Sequence, residues 1–173
     1  MTMGRENDTG RLYQLLLEEN QRYAAQFDRS ELAMAPAKKL AIVVCMDARL
    51  TVEDFLGLKT GDAHIIRNAG GIVTEDALRS LIISQRLLGT RQVLVINHTD
   101  CGMLTFQDDD LRLRLAKETG VDASHLRFHS FSNLEANVRA QVEKIKNSAF
   151  ILPDVEVHGL IYQVEDGRLR QVV

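Results

Sequence analysis

The sequence predicts an α/β fold: a mostly parallel central sheet in the order 2-1-3-4, with an antiparallel edge strand, flanking helices and an N-terminal helical arm. Three observations lead there. Two short apolar runs, "LAIVVC" (40–45) and "RQVLVINH" (91–98), are rich in β-branched residues and suit strands covered on both faces. Segments with helical spacing of apolar residues alternate with the strand-like runs. Near the end of the chain, an Asp166-Gly167 turn joins two strand-like stretches into a hairpin, which supplies the antiparallel edge.

In chain order, "GRLYQLLLEENQRYAAQF" (10–27) reads as a helix, because Leu12, Leu15, Leu16, Tyr23 and Phe27 share one broad apolar face. "DRSELAMAPAKK" contains Pro36 and reads as an irregular link. Residues 1–37 are therefore an arm and link within a single domain spanning 1–173. After the first strand, a turn at Thr60-Gly61-Asp62 precedes a short strand around His64–Ile66. Thr74 is the expected N-cap of a helix whose first turn holds Glu75 and Asp76. Leu78, Leu81, Ile82 and Leu88 should face inward, and Gly89 should stop the helix. "DDDLRLRLAKETG" is a short surface helix ended by Gly120. Its leading aspartates complement the helix dipole more simply than they make a cation site. "SNLE" (132–135) is a capping box, opening a helix with Leu134, Val138, Val142 and Ile145 on one face.

The bulk properties exclude several function classes. A chain of 173 residues, 45% hydrophobic and 26% charged, can bury one sizeable core. Its net charge of −3, with no long run of Lys or Arg, argues against a nucleic-acid partner. No apolar run approaches the roughly 20 residues that span a bilayer, and "MTMGRENDTGRLYQ" has no apolar signal core. The expectation is a cytoplasmic protein with no membrane partner. Two cysteines are too few for a disulfide framework.

Those two cysteines carry the chemistry. In open α/β sheets, ligands sit beyond the carboxyl ends of strands, where strand order reverses. In a 2-1-3-4 order the first and third strands are neighbours. Cys45 ends one, while His98 and Cys101 follow the other with H-x-x-C spacing. A tight turn can aim both at one point. Two cysteines and a histidine suit tetrahedral Zn²⁺, leaving a fourth position for water, substrate or a swinging carboxylate. Asp47 is placed to orient a hydroxide generated at such a metal. Arg49 is placed to hold Asp47 in a bidentate pair. In an extended segment, residues 45, 47 and 49 project to the same side. If Arg49 lets go, Asp47 can swing onto the metal.

Together, "CMDARL", "RNAGG" and "HTDCGM" resemble the three signature segments of the β-class carbonic anhydrases, and in particular their compact prokaryotic subgroup. The resemblance covers about residues 38–106. It implies one Zn²⁺ per subunit on Cys45, His98 and Cys101, with Asp47 and Arg49 as the catalytic dyad. It implies reversible hydration of CO2 to bicarbonate, and a homodimer or higher even oligomer in which the N-terminal helix reaches over the partner.

The candidate pocket residues are Leu58, Ile65, Gly70 and Gly71. Leu58 falls where plant-type members carry an aromatic residue, and Ile65 at another pocket-wall position. The glycine pair reads as a turn that lets backbone approach the metal closely. No residue clearly matches the plant-type pocket glutamine, for which Gln85 and Gln107 remain open. His64 is one candidate proton shuttle among the five histidines. Carbonyl sulfide or carbon disulfide hydrolysis on the same scaffold is the nearest rival, and a non-catalytic zinc- or bicarbonate-binding module is another.

Overall fold

The computed structural model describes residues 6–173. The chain divides into two units, one ending at Leu32 and one spanning Ala33–Val173. In the first unit, α1 spans Glu6–Ala24. It ends three residues before the expected boundary. The N–H groups of Gln26 and Phe27 reach back only three residues, to the carbonyls of Tyr23 and Ala24, which tightens the chain out of the helix. Leu12, Leu15, Leu16, Tyr23 and Phe27 are all exposed.

The second unit runs β1 (Leu40–Cys45), α2 (Val52–Leu56), β2 (Ala63–Asn68), α3 (Glu75–Leu88), β3 (Gln92–His98), α4 (Asp108–Thr119), α5 (Leu134–Lys146), β4 (Glu156–Tyr162) and β5 (Leu169–Gln171). The sheet order is β2-β1-β3-β4-β5. The first four strands are parallel, and β5 returns antiparallel to β4. This is the predicted order with the hairpin on its edge.

Alternation along β1 divides the core between the two sheet faces. Ile42 and Val44 join Leu50, Val52, Ile96 and Met103 on one side. Ala41 and Val43 meet Leu81 of α3 and Val142 and Ile145 of α5 on the other. Every residue of β1 is buried, which is why the strand reads as an unbroken apolar run.

Helix ends follow local chemistry. The Thr74 hydroxyl accepts the Ala77 N–H at 3.2 Å, and Gly89, at φ 78°, ends α3. The inward stripe of α3 follows expectation at Leu81, which is buried, and Leu78, which packs against the core, while Ile82 and Leu88 are only half-buried. Ala77, Leu81, Ser84 and Gln85 are its buried residues. The two polar ones are tolerated because they are bonded. Ser84 meets Thr90 at 2.6 Å, and the Gln85 amide bonds the backbone of Phe150 and Leu152. Gln85 is thus committed to a loop. Gln107 stands at the N-cap of α4 without a side-chain cap bond.

The cap of α5 is Asn133, whose side chain accepts the Ala136 N–H at 2.9 Å, not Ser132 of the expected capping box. Asp108–Asp110 do open α4, but Asp108 does more than face the dipole. Its carboxylate accepts the N–H groups of Phe128, His129 and Ser130. Burial opposes its ionisation, yet these donors hold it well below the usual carboxylate range. Among the described residues no helix is long and apolar enough to cross a membrane.

Candidate metal centre

Parallel pairing carries β1 and β3 to a common end, with Val44 opposite Ile96. Cys45 closes β1, and His98 closes β3. The chain then turns through Asp100, at φ 52°, which brings Cys101 back toward His98. The ligating atoms of Cys45, His98 and Cys101 lie within 4.8 Å of one another, and all three residues are buried. The H-x-x-C turn and the strand end therefore meet where the strand order alone placed them.

The protonation pattern suits a cation. His98 Nδ1 lies 2.8 Å from the Thr99 carbonyl, so Nδ1 carries a proton and Nε2 is the ring nitrogen turned toward the cluster. Nε2 is buried and has no hydrogen-bond partner. An orphaned buried acceptor is costly unless something else fills its place. A hydrogen bond from the Cys101 thiol, working against burial, pulls Cys45 well below the usual thiol range. The same bond pushes Cys101 up. One thiolate is thus available at neutral pH, and a bound cation would displace the second proton. Two sulfurs and an imidazole nitrogen around a buried lone pair can hold a metal ion.

Asp47 follows Cys45 by two residues and is paired with Arg49. Arg49 Nε donates to Asp47 Oδ1 at 3.0 Å, and Nη2 donates to Oδ2 at 2.8 Å. The Arg49 backbone N–H adds a third bond to Oδ1 at 2.9 Å. The Arg49 guanidinium holds Asp47 well below the usual carboxylate range, so it is ionised at neutral pH. Asp47 Oδ2 is 3.8 Å from His98 Nε2, facing the cluster.

Several partners were not singled out from the sequence. Arg67 donates to the carbonyls of Asp47, at 2.7 Å, and Cys45, at 3.1 Å. This fixes the backbone on which ligand and carboxylate sit. The Thr99 hydroxyl donates to Glu165 at 2.8 Å and accepts the Val164 N–H at 3.0 Å, tying the ligand turn to the segment after β4. Asp100 receives Arg49 Nη1 at 2.8 Å. Its only sequence signal is its position inside H-x-x-C.

Of the glycine pair, Gly71 is the one that backbone approaches closely. Gly71 has φ 61°, and a Cβ there would lie 3.0 Å from the Cys45 nitrogen and 3.1 Å from the Ile96 carbonyl oxygen. Asn97 Nδ2 holds the Gly70 carbonyl at 2.9 Å. Leu58 and Ile65 pack against the apolar cluster that contains Cys45 and Cys101. They also line a groove of about 220 Å³ with Glu53 and Ala63, a groove to which none of the three ligand residues contributes. His64 pairs with Ala41 in the sheet. That is four residues before Cys45, or roughly 13 Å along the strand. It bonds Ser84 at 2.7 Å instead.

The carbonic anhydrase family model matches residues 40–169, which include the whole cluster. β-Carbonic anhydrase 1 of Mycobacterium tuberculosis is 45% identical over 156 residues, covering 90% of this chain and 94% of that protein. The chain belongs to the β-carbonic anhydrase family. The crystal structure of a family member, the carbonic anhydrase of Streptococcus mutans, superposes with a TM-score of 0.88 at 42% identity, covering 93% of this chain and 97% of that one. The sequence is also similar to proteins that carry a different name. A carbon disulfide hydrolase of Acidithiobacillus thiooxidans is 33% identical over 162 residues, covering 82% of this chain and 81% of that one.

Proposed function

We propose that this β-carbonic anhydrase binds one Zn²⁺ through Cys45, His98 and Cys101 and catalyses the reversible hydration of CO2 to bicarbonate and a proton. The observation that carries the reading is the buried, unpartnered Nε2 of His98 beside the two cysteine sulfurs, with the ionised Asp47 facing it. Zinc bound there supplies Lewis acidity, which lowers the pKa of water enough to make a nucleophile near neutral pH.

The chain's own residues do the rest. Asp47 accepts a hydrogen bond from the attacking oxygen and so aims its lone pair at the carbon of CO2. Arg49 keeps Asp47 charged and turned to that task. Gly71 leaves room for the backbone of Cys45, Gly70 leaves room for the Met103 and Phe131 side chains, and Leu58 and Ile65 keep that side of the core apolar.

The second reading is hydrolysis of carbonyl sulfide or carbon disulfide, supported by the relatives named carbon disulfide hydrolase. Stopped-flow CO2 hydration, run beside sulfide release from both sulfur substrates, separates the two. We expect CO2 hydration. Sulfide release without hydration would overturn the choice, and a zinc-loaded protein inert toward all three would favour a non-catalytic module.

We further propose that the working form is a homodimer or higher even oligomer. The exposed Leu12, Leu16, Tyr23 and Phe27 of the α1 segment support it, since a second copy would cover them. Sedimentation velocity at micromolar concentration should give twice the chain mass or an even multiple. A single monomeric species would refute it.

A further inference from the structure

We propose that Asp100 is a positioning residue: it grips the Arg49 guanidinium by a second edge and so keeps the Asp47 carboxylate on Arg49 and off the ligand cluster. The consequence for catalysis rests on the zinc hydratase reading above, whereas the clamp itself does not.

The guanidinium has five N–H groups, and its bonds run to two partners. Nε and one N–H of Nη2 serve the two Asp47 oxygens. Nη2 also reaches the Asp100 carbonyl at 3.1 Å, and Nη1 reaches Asp100 Oδ2 at 2.8 Å. Arg49 is 47% exposed, and a lone ion pair so exposed orders a long side chain weakly. Contacts on two edges make a network, which fixes the plane of the fork as well as its distance.

Burial does not explain Asp100, whose side chain is 73% exposed. Its place in the chain does. It stands between His98 and Cys101 at φ 52°, a left-handed conformation that Asp and Asn tolerate better than most side chains. One turn therefore presents two cluster residues to one side and both oxygen acceptors of residue 100 to Arg49. Asp47 Oδ2 stands 3.8 Å from His98 Nε2, only about 1 Å beyond contact distance. A small rotation of Asp47 would close that gap, and Arg49 is what opposes it.

The test uses zinc-loaded Asp100→Gly and Asp100→Asn. Glycine takes the positive φ freely and asparagine tolerates it, so the ligand turn is kept while the carboxylate is lost. Metal content should stay at one per chain. The Nε–H signal of Arg49, assigned by its loss in Arg49→Lys, should exchange with water about threefold to fivefold faster in both variants, the range for a partly exposed ion pair. The visible spectrum of the cobalt(II)-substituted variants should move toward that of a carboxylate-bound centre. For CO2 hydration, kcat should fall with KM unchanged. Wild-type exchange and spectrum in both variants would overturn the inference. Loss of metal from both variants would also overturn it, because Asp100 would then be holding the turn. Faster exchange in a protein that hydrates no CO2 even as wild type would support the clamp and sink the hydratase reading.

Discussion

Cys101→Ser is expected to release the metal. Removing an outer partner of a metal ligand typically costs 10–100-fold in affinity, so removing a ligand costs more than about a hundredfold. Serine is close to cysteine in size, and its hydroxyl is a poor donor to zinc beside a thiolate. Metal analysis after dialysis should find a small fraction of one zinc per chain, against one in the wild type, with CO2 hydration lost in parallel. Circular dichroism should report an intact fold, because β1 and β3 remain buried and paired. Stoichiometric zinc in the variant would sink the ligand assignment.

Asp47→Ala should do the opposite: keep the metal and lose turnover by about a hundredfold or more, the usual scale for removing a positioned proton-handling group. The backbone at residue 47 has its own support. Arg67 bonds the Asp47 carbonyl at 2.7 Å, and the Leu50 N–H bonds it at 3.1 Å. Truncating the side chain therefore leaves the turn in place. Asp47→Asn separates charge from shape, since it keeps the acceptor oxygen but cannot form an ion pair with Arg49. Because Asp47 and Arg49 act as a unit, adding Arg49→Ala to Asp47→Ala should cost little more. Near-normal kcat/KM in the single alanine variant, with zinc retained, would refute the role of the dyad.

The legible parts of this protein share a physical basis. β1 lies in the middle of a parallel sheet, so both its faces are covered and its sequence is an unbroken apolar run. α1 and α5 declared themselves by period, α3 also by its Thr74 cap and Gly89 stop, and α4 by its acidic start and Gly120, while the five-residue α2 was not read. Once strand order was inferred, Cys45, His98 and Cys101 had to converge, because adjacent parallel strands end together. Asp47 and Arg49 were legible by residue type beside Cys45, but the extended segment expected to align them is a turn, closed by the Leu50 N–H on the Asp47 carbonyl.

The errors were equally specific. Ser132 and Asn133 are both good caps, and sequence chemistry alone did not choose between neighbours. Ser84 and Gln85 turned inward because Thr90, Phe150 and Leu152 were there to bond them, and those partners are distant or loop residues. His64, one of five candidate shuttles, is not such an error: it lies within a strand as read, beside Ala41 and bonded to Ser84.

By itself, then, the sequence determined the sheet, its order and the three residues that converge at its switch point. These depend on burial, period and topology, which are written locally along the chain. Only the tertiary structure decided which way Asp47 turns. It pairs with Arg49, and Arg49 is shared with Asp100, 51 residues away along the chain. That arrangement depends on one positive φ and on hydrogen-bond distances between separate loops. A side chain's choice between two partners whose distances differ by about an ångström is settled by geometry that no spacing of residue types encodes.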